Sequence, residues 1–108
     1  MIRAAFYQNS DGRYLGFQTR GHAGYAEAGS DIVCAAVSAL VTNTVNSIEL
    51  LTENHLLIKT DEEAGFLAVK LCEAATPEAG LLFRSLRCGL EAIEKEHREY
   101  IHVVCKEV

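Results

Sequence analysis

The feature that most constrains the fold is a long stretch of helical periodicity in the first half of the chain. Side chains suited to a core recur every three or four residues: Val33, Val37, Leu40, Thr44, Ile48 and Leu51. This spacing predicts a helix with one face toward the core. Ser30 and Asp31 are residue types that cap helix N-termini, so we predict a helix from about Asp31 to Thr52, preceded by a glycine-rich loop that includes Gly29.

Two pairs of strands are predicted around this helix. The first pair, Ile2 to Tyr7 and Arg13 to Arg20, is separated by the turn sequence Asn-Ser-Asp-Gly at residues 9–12. The second pair, His55 to Thr60 and Phe66 to Cys72, is joined by an acidic turn at residues 61–65 that we expect to be exposed to solvent.

A second helix is predicted to begin at Pro77, because proline suits the first turn of a helix. Its apolar positions are Leu82, Leu86, Leu90 and Ile93, and the charge run at residues 94–99 reads as its solvated end. Tyr100 to Cys105 completes the chain as a strand. The order β-β-α-β-β-α-β predicts an α+β fold, with two helices packed on one mostly antiparallel sheet. Residues 1–108 are expected to form a single domain.

Composition narrows the functions that the chain can have. A net charge of −5 and a pI near 5.3 argue against a partner bound mainly through phosphates, so we expect no direct nucleic acid binding. The N-terminus has no basic stretch leading into an apolar core, which predicts retention in the cytoplasm. The apolar run from Ile32 to Val41 is too short to span a membrane, and we expect no membrane partner.

The cysteines and histidines suggest neither a disulfide framework nor a metal site. Cys34, Cys72, Cys88 and Cys105 are widely spaced, and no CxxC pair or zinc-type spacing with a histidine is present. We therefore expect free thiols and no metal. Cys72, Cys88 and Cys105 are interpreted as structural residues.

Residues 21–38 concentrate a base, a carboxylate and a thiol. If Asp31 is the N-cap, Cys34 lies in the first helical turn, where the backbone dipoles and free amides favour a thiolate. His22, separated from that thiol by eleven intervening residues, can fold back over the helix start and act as its base. Asp31 can orient the imidazole or cap the helix. The amides at the helix N-terminus, including that of Cys34, can donate to the oxyanion formed in acyl transfer.

Other interpretations of the same residues remain open. A cysteine in an apolar helix is usually a small buried hydrophobic residue, and a histidine before a glycine loop is usually a surface residue. A redox role for Cys34 lacks a resolving cysteine nearby in the sequence. The glycine loop before the helix is weakly suggestive of phosphate binding, but it lacks both the P-loop ending and the GxGxxG order.

The segment Gly21 to Leu40, which reads GHAGYAEAGSDIVCAAVSAL, resembles the signature of the bacterial ribosomal-processing cysteine proteases, the Prp family. In that family a Gly-His dipeptide precedes a variable loop and an Asp-Ile-Val-Cys-Ala segment. The resemblance implies that His22 and Cys34 form a catalytic dyad, with Gly21, Asp31 and Ser38 close to it.

The resemblance also implies a substrate and an assembly. Family members remove the N-terminal extension of large-subunit ribosomal protein twenty-seven after a pair of phenylalanines, and they form homodimers. Such a substrate needs an apolar groove, and we predict that a loop containing Ala23, Gly24, Tyr25 and Gly29 opens to admit it. Thiol acylation and hydrolysis need no cofactor. The alternative is a non-catalytic ribosome-associated binding module in which Cys34 is a buried structural thiol.

Overall fold

The computed structural model of the 108-residue chain describes residues 1–22 and 28–108, without the side chains of residues 28–31. In these residues, five strands and two helices follow the predicted order β-β-α-β-β-α-β. Their bounds are β1 Ile2–Gln8, β2 Tyr14–Arg20, α1 Ala28–Leu51, β3 Leu56–Asp61, β4 Phe66–Leu71, α2 Pro77–Glu96 and β5 Ile101–Glu107.

The strands form one sheet in the order β3-β4-β2-β1-β5. All neighbours are antiparallel except β1 and β5, which are parallel. The predicted β1–β2 turn is confirmed: the Oδ1 atom of Asn9 accepts hydrogen bonds from the amides of Asp11 and Arg13, both at 3.0 Å. The sheet is therefore mostly antiparallel, as the sequence predicted.

The core lies between one face of this sheet and the two helices. Strand residues that alternate along β1, such as Ala4 and Phe6, are buried there, because successive side chains of a strand point to opposite faces. The largest fully buried side chains come from both helices and three strands: Val33, Ile48, Phe83, Leu86, Leu90, Phe6, Phe17 and Ile101. Both helices therefore cover the same sheet face.

Helix α1 begins at Ala28, so the predicted start at Asp31 is wrong. Neither Ser30 nor Asp31 is the N-cap, and Gly29 lies inside the helix. Glycine costs about 1 kcal/mol relative to alanine in a helix interior, a penalty that packing of a long buried face outweighs. The helix ends at Leu51, which is 73% exposed and does not belong to the core face as predicted.

The segment Ile32–Leu51 of α1 is long and apolar enough to cross a membrane by length and composition, with a mean hydropathy of 1.3. Its buried side chains Val33, Val37, Val41 and Ile48 belong to the hydrophobic core. A core helix of a folded domain has the same composition, and α1 packs as one.

Helix α2 begins as predicted, with Pro77 in its first turn and the Thr76 hydroxyl accepting a hydrogen bond from the Ala79 amide at 3.2 Å. Near its end, Glu94 departs from the predicted solvated charge run. Its carboxylate accepts a hydrogen bond from the Val103 amide at 2.7 Å. The helix thereby satisfies a donor on the outer edge of β5 that would otherwise be free to pair with another strand.

Candidate active site

A cleft of about 530 Å³ opens where α1 faces the end of β2 and the β3–β4 turn. Four of the predicted site residues line this cleft: Gly21, His22, Cys34 and Ser38. Gly21 and His22 directly follow β2, whereas Cys34 and Ser38 belong to α1. The two residues that the sequence singled out as a candidate pair, His22 and Cys34, therefore line the same cleft.

Cys34 reaches the cleft from α1. It is half-buried, whereas Val33 beside it is fully buried, so the thiol lies at the boundary between core and cleft. Ser38 follows one turn later on the same side of the helix and is exposed. A half-buried thiol that lines an open cleft differs from the buried structural thiol of the binding-module alternative.

His22 is held by its backbone. The amino group of Met1 donates a hydrogen bond to the His22 carbonyl oxygen at 2.7 Å, and the Gly21 amide donates to the Gly65 carbonyl at 3.1 Å. Gly21 has a φ of 91°, in the region that favours glycine, and a Cβ there would collide with the carbonyl oxygen of Met1. The His22 side chain is exposed and lines the cleft.

The β3–β4 turn forms the opposite wall, a role that no local sequence signal indicated. The turn is exposed, as predicted, and is held by the Asp61 carboxylate, which accepts hydrogen bonds from the Glu63 and Ala64 amides. Its last residue, Gly65, lies directly against the His22 ring. Asp61, Glu62 and Gly65 are therefore site residues that sequence reasoning missed.

The remaining lining combines an apolar floor with polar walls. The apolar side chains are Ile2, Val37, Val41, Phe66 and Leu67, and hydroxyl groups are supplied by Thr19, Ser38, Thr42 and Thr60. Such a lining can bind apolar side chains of a peptide while offering hydrogen bonds to its backbone. The carboxylates of Asp61 and Glu62 at the turn disfavour an acidic peptide.

Among the helix N-terminal amides predicted as oxyanion donors, the inclusion of the Cys34 amide is wrong. Cys34 is the seventh residue of α1 and lies in its second turn, because the helix begins at Ala28. Only the first four amides of a helix lack intrahelical partners. The Cys34 amide is therefore engaged within the helix, and Cys34 does not lie in the first helical turn as predicted.

Two other sequence predictions concern residues or side chains that lie wholly or partly outside the described part of the chain. Ala23, Gly24 and Tyr25 lie outside them, and their role as a substrate loop stays a prediction. Gly29 belongs to α1, so that part of the predicted loop is helical. The side chain of Asp31 also lies outside the described part, so its predicted role in orienting the His22 ring stays a prediction.

The other three cysteines lie outside the cleft. Cys72 and Cys88 are exposed, contrary to the structural role predicted for them, whereas Cys105 packs against the core and its thiol lies 3.2 Å from the Gln8 side-chain oxygen. Within residues 1–22 and the described side chains from 32 onward, no three His, Cys, Asp or Glu side chains are grouped to hold a metal ion.

Comparison with known proteins relates this architecture to one family. The family model described as "Cysteine protease Prp" matches residues 1–102. The ribosomal processing cysteine protease Prp of Bacillus subtilis (strain 168) is 34% identical over 107 residues, covering 95% of this chain and 96% of that protein. The protein of the same name from Staphylococcus aureus (strain Mu50 / ATCC 700699) is 32% identical over 103 residues, covering 95% and 97%.

Solved structures show the same fold over nearly the whole chain. The S. aureus ribosomal processing protease Prp in complex with a covalently linked product peptide superposes with a TM-score of 0.90, at 32% identity over 98% of this chain and 100% of that chain. Its complex with a substrate peptide gives the same TM-score at 31% identity and equal coverage. SMU.848 from Streptococcus mutans also superposes with a TM-score of 0.90, at 30% identity over 100% of this chain and 96% of that chain.

Proposed function

This chain belongs to the Prp family of cysteine proteases, and we propose that its catalytic dyad consists of the Cys34 thiol and the His22 imidazole. Its relatives are ribosomal processing cysteine proteases, and the peptidase class follows from that membership. The observation that supports the dyad is that both side chains, one just after β2 and one on α1, line the same cleft.

The proposed reaction needs only these two groups and water. His22 takes the Cys34 proton, the thiolate attacks the peptide carbonyl, and the imidazolium returns the proton to the departing amine. Water, deprotonated by the same imidazole, then hydrolyses the thioester. Ser38, one turn after Cys34 on the cleft side of α1, is proposed to hydrogen-bond the bound peptide. Asp31 remains a candidate for orienting His22.

The proposed substrate is the N-terminal extension of large-subunit ribosomal protein twenty-seven, cut after a pair of phenylalanines. The apolar floor formed by Val37, Val41 and Leu67 supports this proposal, since aromatic side chains need an apolar surface in which to bury. The S. aureus relative with a bound substrate peptide supports a peptide ligand.

Cleavage of a synthetic peptide tests the proposal. The peptide carries the extension and several following residues of the host ribosomal protein, and its products are identified by mass spectrometry. We expect the wild-type protein to cut after the aromatic pair, and Cys34→Ala and His22→Ala to be inactive. Cys88→Ala is the matched control, because Cys88 is an exposed thiol outside the cleft.

Each failure has a distinct meaning. Cleavage by Cys34→Ala at the wild-type rate would reject the nucleophile. An intact peptide with a fast-alkylating Cys34 would reject the substrate but keep the peptidase. An intact peptide with a slow-alkylating Cys34 in the folded protein would support the binding-module alternative.

We also propose that the protein acts in the cytoplasm as a homodimer. The four free thiols suit a reducing compartment. Strand β3 lies at the sheet edge and exposes Leu57 by 53% and Ile58 by 40%, which supports pairing of two copies along this edge. Sedimentation equilibrium should give twice the monomer mass of 11.8 kDa, and Ile58→Lys should shift the protein toward the monomer. A monomeric wild-type protein would refute the dimer.

A further inference from the structure

The sheet face opposite the helices is strongly basic. Strand alternation relative to the buried residues assigns outward positions to five of the ten Lys and Arg residues of the chain: Arg3, Arg20, Lys59, Lys70 and Lys106. All five are exposed. We call this surface the basic sheet face. Asp61 is the one acidic residue among its described strand positions.

The charges of the protein are therefore segregated. Five cations and one carboxylate give the basic sheet face a net charge of +4, and since the chain total is −5, the remaining residues sum to −9. Within the described side chains, none of the five cations lies within ion-pair distance of a carboxylate. Arg20 instead stacks on the Phe66 ring, 4.9 Å from its centroid. Most of this positive charge is available to a ligand.

The face also has a concavity that a ligand can enter. A groove of about 450 Å³ has a mainly apolar lining that includes Leu57, with Lys59, Lys70, Tyr7 and Gln18 contributing its polar groups. Tyr7 is half-buried and lines the groove, and the strand register places it in one cross-strand row between Lys70 and Lys106. A positively charged groove with an aromatic side chain matches single-stranded nucleic acid, whose phosphates pair with cations while a base stacks on the ring.

A second copy of the chain fits this face poorly. A two-fold interface would join identical surfaces, so two faces of charge +4 would oppose each other. Like-charge contacts of this kind oppose association. The dimer proposed above pairs the β3 edge instead and leaves this face open.

We propose that the basic sheet face binds single-stranded RNA through its phosphates, with Tyr7 stacking on a base. The choice of RNA among polyanions rests on the proposed function, because the proposed substrate is a ribosomal protein and such proteins bind ribosomal RNA. Binding itself requires no cleavage. The chain's overall negative charge predicted no such partner, whereas the charge of one face is what a bound strand experiences.

Fluorescence anisotropy tests the proposal with a fluorescein-labelled oligouridylate. Its length of about 20 nucleotides exceeds the site size typical of proteins that bind single strands. The face variant is Lys59→Gln/Lys70→Gln/Lys106→Gln, which avoids every residue lining the cleft. The matched control is Arg84→Gln/Lys95→Gln/Arg98→Gln, which removes the same charge from exposed positions on or just after α2. Circular dichroism and peptide cleavage confirm that both variants fold.

The expected wild-type Kd is about 10 µM at low salt, within the range of electrostatic binding. Each phosphate contact with a single strand contributes about 0.7 to the slope of log Kd against log salt, so five contacts give about 3.5 and the two left in the face variant about 1.4. We expect the face variant to weaken binding more than tenfold and the control about twofold or less. Tyr7→Leu should weaken binding several-fold without changing the slope.

Three results would overturn the proposal. The first is no detectable binding at about 100 µM protein and 50 mM KCl, because even ordinary non-specific binding would be detected under these conditions. Equal losses in the two triple variants would show that no particular face is used. Co-sedimentation with phosphatidylserine vesicles without RNA binding would assign the face to a lipid surface. Because RNA binding by Cys34→Ala should equal that of wild type, a failed peptidase assignment leaves the RNA measurement unaffected.

Discussion

The α-carbon of Gly65 lies against the imidazole of His22: a Cβ at position 65 would stand 2.8 Å from both Cε1 and Nε2 of that ring. Gly65 also has a φ of 61° and accepts a hydrogen bond from the Gly21 amide. The β3–β4 turn thus fixes both the backbone before the histidine and the space in which its ring lies.

Replacing Gly65 with alanine should displace the imidazole and lower kcat/KM by about 10²-fold, as small misplacements of catalytic groups do. Peptide turnover measures this effect. Gly12→Ala is the control, since Gly12 has a φ of 79° and open space around its Cβ position. Both variants carry a similar cost for the left-handed φ, about 1 kcal/mol, but only at position 65 does the added Cβ meet the His22 ring and, at 2.9 Å, the Gly21 carbonyl oxygen. Equal activity in the two variants would refute the positioning role of Gly65.

The reactivity of Cys34 should exceed what its exposure allows. Alkylation that followed exposure alone would modify Cys72 and Cys88 first, because both are exposed and Cys34 is half-buried. With His22 as its base, we expect Cys34 to react at least about tenfold faster than either, since the thiolate is the reactive form. Peptide mapping after brief iodoacetamide treatment measures the order. His22→Ala should remove the advantage, and an unchanged order in that variant would contradict the dyad.

Asn54 should be important for stability. It is 3% exposed; its amide donates to the Ala74 carbonyl at 3.0 Å, and its oxygen accepts from both the amide and the hydroxyl of Thr76. Asn54→Ala leaves these buried groups without partners and should lower the free energy of unfolding by about 2–3 kcal/mol. Urea denaturation measures this. The exposed Asn43→Ala should stay within about 0.5 kcal/mol of wild type, and a matching loss there would refute the argument.

Glu73 should make stability depend on pH. The backbone amide of His55 donates to its carboxylate at 2.6 Å, and this hydrogen bond lowers the pKa of Glu73 below its usual value. A lowered folded-state pKa stabilises the fold above the unfolded-state value of about 4.3, and the contribution is lost as pH falls through the folded-state pKa. The Tm deficit of Glu73→Gln should therefore be largest at neutral pH and shrink by pH 3. Glu49→Gln, on the exposed side of α1, should show no such trend; a deficit for Glu73→Gln that grew on acidification would contradict this assignment.

Local sequence determined the elements and indicated the proposed catalytic pair. The spacing of Val33, Val37 and Ile48 predicts α1, and the Asn-Ser-Asp-Gly turn predicts the β1–β2 hairpin, because these signals act over a few neighbouring residues. The motif around His22 and Cys34 could be read for the same reason. The start of α1 could not, since Gly29 and the capping residues are weak local preferences that packing of the whole helix overrides.

Tertiary structure alone decided which surfaces surround those groups. Gly65 meets His22 only because β4 pairs with β2, an arrangement that joins residues far apart in the chain. The basic sheet face likewise collects cations from β1 through β5 onto one side, while the chain average is acidic. Strand pairing and the alternation of side chains across a sheet are long-range properties, so neither contact nor charge segregation can be read from neighbouring residues.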